Sequence, residues 1–150
     1  MDVGRSYREA AVRGASPVEL VMRLYEQMIE DLRQAAKAVE QNDVELRGNK
    51  INHAVLVLGH LQSQLDFQTG GAVARDLENF YNVLRQNLIE VQVSASKQLL
   101  AQQITDLLTV REAWIEVLRA ETSSTARTPS PVVDEAAISE AEHAHVDWKG

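Results

Sequence analysis

Leu65-Asp66-Phe67-Gln68-Thr69-Gly70-Gly71 interrupts a chain that is otherwise written in helical periods. Gly70-Gly71 is the one Gly-Gly pair, and glycine admits the left-handed backbone on which one helix ends and the next begins. A joint this short between two long helices makes them antiparallel neighbours. Ahead of the joint, Ile51, Ala54, Val55, Leu58, Leu61 and Leu65 recur every three or four residues, in a helix opening at Asp43 or shortly after. Beyond it, Val73, Leu77, Phe80, Tyr81, Leu84, Leu88 and Val91 do the same.

Two further periods flank this pair. Ser16-Pro17-Val18-Glu19 has the form of a capping box, with serine at N-cap, proline at N1 and glutamate at N3. Its helix carries the stripe Leu20, Val21, Leu24, Met28, Leu32, Ala35 and Val39. Ser94 or Ser96 restarts the chain for a fourth helix with Leu100, Ile104, Leu107, Leu108, Trp114, Ile115 and Leu118. Each helix spans about 22–25 residues, roughly 33–38 Å at 1.5 Å per residue. Four equal rods on short joints predict an all-α, antiparallel up-down four-helix bundle.

Composition narrows the possibilities. One domain is the prior for 150 residues, and the absence of cysteine removes disulfide and thiol chemistry. No apolar run approaches the roughly 20 residues needed to span a bilayer, and no apolar core of a secretory signal follows Met1. A net charge of −7 argues against nucleic acid. Charge is unevenly spread: residues 1–121 hold 13 basic and 17 acidic residues (−4), and residues 122–150 hold two and five (−3). The division expected is an N-terminal segment 1–14, a bundle 15–121 and a disordered acidic Ser/Thr/Pro tail 122–150.

Catalytic chemistry does not assemble from these residues. There is no phosphate loop, no dinucleotide fingerprint and no nucleophile elbow. A di-metal bundle requires Glu-x-x-His on two core-facing helices, and the one such spacing, Glu140 to His143, falls in the tail. His53 and His60 lie on the polar side of the second helix with no carboxylate evidently placed to join them, as surface histidines do. No cofactor or metal is expected, and the chain reads as a non-enzyme.

Apolar residues outside the stripes are the informative anomaly. Val18, Met22, Tyr25 and Ile29 lie about 100–160° round the first helix from Leu24, a flank that a broad buried face explains better than a contact surface does. Leu56 points away from Leu58, beside Asn52, Gly59, His60 and Ser63, where Gly59 would leave a dent. Val83, Ile89 and Val93 fall off the core face of the third helix. Leu56, Ile89 and Val93 together favour a contact site.

Tyr7, then Ala15-Ser16-Pro17-Val18-Glu19-Leu20 and Leu24-Tyr25, then Leu65-Asp66 with Gly70-Gly71, Ala74, Leu77, Tyr81 and Leu88, and finally Arg111-Glu112-Ala113-Trp114 stand in an ordered series. In that order and spacing the chain resembles the flagellar secretion chaperones, the FliS family, from about Tyr7 to Leu118. It departs from the family at Val91-Gln92, where members usually carry Ala-Asn, and in its long acidic tail. The resemblance implies a cytoplasmic, non-enzymatic chaperone. Such a chaperone binds the disordered C-terminal segment of flagellin, prevents premature polymerisation and delivers its client transiently to a membrane protein of the flagellar type III export gate. Neither nucleic acid nor stable membrane insertion is involved, and the chain is expected as a monomer or weak homodimer. Tyr7, Leu56, Val57, His60, Val83, Ile89 and Val93 are the client-binding residues expected here. The segment bearing Val3, Tyr7 and Val12 would cover the client groove until displaced, unless it is merely a frayed terminus. A helical adaptor or regulator without a flagellin client is the alternative, since a fold alone does not fix function.

Overall fold

The computed structural model describes residues 16–127. Four helices fill this span: α1 (Pro17–Glu40), α2 (Val44–Ser63), α3 (Phe67–Ser94) and α4 (Lys97–Arg127). Helix α1 packs against α2 and α4, and α3 packs against the same two, so consecutive helices run antiparallel around a closed ring. The expected up-down bundle is what the chain forms, but its helices are unequal, 24, 20, 28 and 31 residues rather than an even set of about 22–25. Helix α4 runs to Arg127, past the boundary placed at Glu121. Tyr7 and the rest of the N-terminal segment, like residues 128–150, lie outside the described residues.

Each helix start is fixed by a short side chain. Ser16 Oγ accepts from the Glu19 amide (3.2 Å) and Glu19 Oε1 from the Ser16 amide (3.4 Å), so the capping box is closed from both sides. Asn42 takes a positive φ of 56° and ends α1, and Asp43 then caps α2 by accepting from the Leu46 amide (3.0 Å). Ser96, rather than Ser94, caps α4 by accepting from the Leu99 amide (3.0 Å).

The central joint differs from expectation. Helix α2 stops at Ser63, and the break is made at Asp66, not at the glycine pair. Asp66 accepts from the amides of Gln68 (3.0 Å) and Thr69 (3.1 Å) and from the Thr69 hydroxyl (2.7 Å). These bonds, the Thr69 hydroxyl foremost, hold its exposed carboxyl below the ordinary value of 3.8. One helical turn follows, and Gly71 then kinks the helix at φ 53°, ψ −122°, a backbone that disfavours any residue with a Cβ.

The core is built from both expected and unexpected positions. Val18, Tyr25 and Ile29 are buried and Met22 partly so, which makes the α1 flank a second packed stripe rather than a contact surface. Tyr25 and Tyr81 share a hydroxyl–hydroxyl hydrogen bond of 2.7 Å, and Tyr25 also lies 6.4 Å, centroid to centroid, from Trp114. Burial pushes the Tyr25 hydroxyl up to about 12, against the opposing hydrogen bonds from Tyr81 and Trp114. Tyr81 is raised well above 10.0, chiefly by burial and next by the neighbouring Tyr25. On α4 the buried positions are Leu100, Gln103, Leu107, Trp114 and Val117, while Ile104, Leu108 and Leu118 pack against them partly buried. Gln103 is tolerated because its Oε1 accepts from Asn87 Nδ2 of α3 (3.2 Å).

Candidate functional site

The outer face of α2 and α3 carries large apolar side chains that the bundle leaves in water. Leu56 is 56% exposed, Ile89 54% and Val93 80%, values that place them outside the core rather than at its margin. Leu56 lies about 160° from both Ala54 and Leu58 on the helical wheel, opposite the buried stripe of its own helix.

Two amide bridges set the register of this face. Gln92 Nε2 donates to Asn52 Oδ1 (3.1 Å) and to the Gly48 carbonyl (3.2 Å), and ten residues along each helix Gln62 Nε2 donates to Asn82 Oδ1 (2.9 Å). At the Gly48 end, the Arg47 guanidinium donates to the Gln92 carbonyl (3.2 Å). Between the bridges the antiparallel register brings Val55 and Leu56 level with Ile89, and Gly59 level with Arg85. The exposed apolar strip along the α2–α3 seam (the groove) is thereby bounded at both ends by uncharged amides.

The expected contact residues do not all meet there. Leu56 and Ile89 border the groove, and Val93 stands exposed just past the Asn52–Gln92 bridge. Val57 does not belong: it is 0% exposed, because one residue after Leu56 turns the helix about 100° back toward the core. Val83 is exposed but sits about 100° round α3 from Asn82, on the side from which Asn87 reaches α4. His60 is half-buried on the flank of Leu56 that faces α1, away from the groove. Tyr7 lies outside the described residues.

His53 overturns the reading of an unaccompanied surface histidine. Its Nδ1 lies 2.5 Å from Oδ2 of Asp31 on α1, a carboxylate only 1% exposed whose other oxygen accepts from Gln27 Nε2 (3.1 Å). Asp31 escaped sequence reading because it lies 22 residues from His53 and becomes its neighbour only through α1–α2 packing. The pair joins α1 to α2, and among the described residues no group of three or more His, Cys, Asp or Glu could hold a metal. Among the described residues, likewise, no helix is long and apolar enough to cross a membrane.

A helical bundle with large apolar side chains exposed on its outer face has the make-up of a protein that docks other chains. The model of the flagellar protein FliS family matches residues 2–121, and the chain belongs to that family. It is 32% identical over 106 residues to the flagellar secretion chaperone FliSB of Pseudomonas aeruginosa, covering 71% of this chain and 84% of that protein. It is 27% identical over 110 residues to the flagellar secretion chaperone FliS of Salmonella typhimurium (73% and 82%), and 22% over 116 residues to that of Bacillus subtilis (77% and 86%). Proteins of this family are chaperones of flagellar secretion, not enzymes.

Proposed function

We propose that this chain is a cytoplasmic export chaperone for flagellin. It binds the disordered C-terminal segment of flagellin on the α2–α3 face, keeps the subunit from polymerising and passes it to the flagellar type III export gate. The observation that carries the reading is the open apolar groove bordered by Leu56 and Ile89. A filament subunit assembles by packing its apolar terminal helices, so a protein that covers those helices blocks assembly. Each aliphatic side chain buried on binding contributes about 1.5–3 kcal/mol. A client that folds as it binds loses roughly 2–5 kcal/mol to ordering, which leaves the complex releasable.

The experiment is a pull-down of flagellin from the host with Leu56→Asp combined with Ile89→Asp. Capture is abolished while helical circular dichroism stays at the wild-type level, because neither side chain supports the core. Full capture by the double variant removes this face from consideration. A wild-type chain that captures no flagellin favours the adaptor reading. The N-terminal segment is proposed to lie over the same groove in the free protein. Deleting residues 1–12 then tightens flagellin binding, whereas weaker binding makes Tyr7 a direct contact.

A further inference from the structure

We infer that Gly59 and Arg85 are the selective part of the α2–α3 groove, reading a client helix that presents a bulky apolar side chain beside a carboxylate. The inference rests on the reading that a client docks on this face. Gly59 lies inside α2, where glycine weakens a helix relative to alanine. Two features usually justify such a glycine, and neither applies. Its φ is not positive, unlike that of Gly71. No neighbour crowds it either, since a Cβ placed there meets nothing within 4 Å. Even Gly48, about three turns away in the same helix, has Gln92 Oε1 at 3.8 Å from such a Cβ. The space over Gly59 is therefore left open by the described residues. It sits one turn beyond exposed Leu56 and level with Arg85, so a side chain entering from outside would be flanked by both.

Arg85 supplies the second half. Between the two amide bridges α2 carries no Asp, Glu, Lys or Arg, and α3 carries only Arg85 and Glu90. Glu90 lies about 140° round the helix from Arg85 and does not share its face. Among the described residues Arg85 makes no ion pair. The half-buried Arg85, one of two charged residues on α3 between the bridges, complements a carboxylate brought by the partner.

The test measures binding of a fluorescent peptide, the C-terminal segment of the host flagellin, to the full chain and to Gly59→Leu, Gly59→Ala and Arg85→Gln. Gly59→Leu fills the dent; it is expected to melt at or above the wild-type temperature yet bind at least about tenfold more weakly. Gly59→Ala falls between the two. Arg85→Gln binds more weakly at low salt, and its affinity changes less with ionic strength than that of wild type. Gly59→Leu binding within about twofold of wild type overturns the inference while leaving the flagellin reading intact, provided Leu56→Asp with Ile89→Asp abolishes binding. A chain that ignores the peptide both with and without residues 128–150 defeats both. Peptide binding that emerges only after residues 128–150 are deleted assigns the dent to the chain's own acidic tail and also overturns it.

Discussion

Helix α1 and the α2–α3 face begin from the same sequence signal, apolar residues off the main stripe, and end in opposite states. Val18, Tyr25 and Ile29 are swallowed by the core, whereas Leu56, Ile89 and Val93 remain in solvent. Angular position separates them. The α1 flank adjoins its main stripe and simply widens it, so two neighbouring helices can cover one continuous arc. Leu56 stands across its helix from the buried stripe, where no third neighbour exists in a ring of four. Apolar content thus says little about exposure until its angle to the packed face is known.

Substitutions on the two regions pull this contrast apart. Tyr25→Ala should cost about 3–5 kcal/mol in chemical denaturation, as expected for deleting a fully buried aromatic ring. A loss below about 1 kcal/mol would mean that the flank is not core after all. Alkaline titration probes the same residue. The folded Tyr25 holds its proton more tightly than the unfolded one, so its contribution is complete below pH 10.0 and fades as pH rises to about 12. Denaturation midpoints should fall across that interval in wild type, and less steeply in Tyr25→Phe.

The glycines give a smaller contrast. Gly71→Ala should destabilise by more than about 1 kcal/mol, because its backbone excludes a Cβ, whereas Gly59→Ala should stabilise by roughly 0.4–1 kcal/mol. Equal effects would erase the distinction between a conformational glycine and a spacious one. Leu56→Ser should leave stability within about 0.5 kcal/mol of wild type. The most local effect belongs to Asp66. Its lowered carboxyl keeps the α3 cap intact above its ordinary value of 3.8, and the cap is lost as pH falls through the depressed value. Faster hydrogen exchange at the Gln68 and Thr69 amides, without global unfolding, would register that loss.

What could be read in advance was whatever the chain states locally. The capping box at Ser16 and the start at Asp43 depend on neighbours within a turn or two and formed as written; the 3.6-residue stripes did so except at their ends, where Leu65 falls past α2 and Val117 rather than Ile115 is buried on α4. Leu56 and Ile89 were legible as outward-facing because each can be compared with the stripe of its own helix. Val57 was misplaced by adjacency in sequence to Leu56, although one step along a helix changes the face. Asp31–His53 and Asn87–Gln103 were invisible because each needs the register between two helices, which no single period encodes. The central joint lay in between: the break was evident, but its division into an Asp66 cap and a Gly71 kink depends on backbone angles.

The ring of contacts also bears on how quickly the chain becomes competent after synthesis. Three of its principal interfaces, α1–α2, α2–α3 and α3–α4, join helices that are consecutive in sequence; only α1–α4 must bring the ends together. Because most interhelical contacts close short loops, folding should be rapid, with the α1–α4 interface completed once α4 leaves the ribosome. A newly made partner prone to self-assembly would then meet a finished bundle rather than one still searching for its shape.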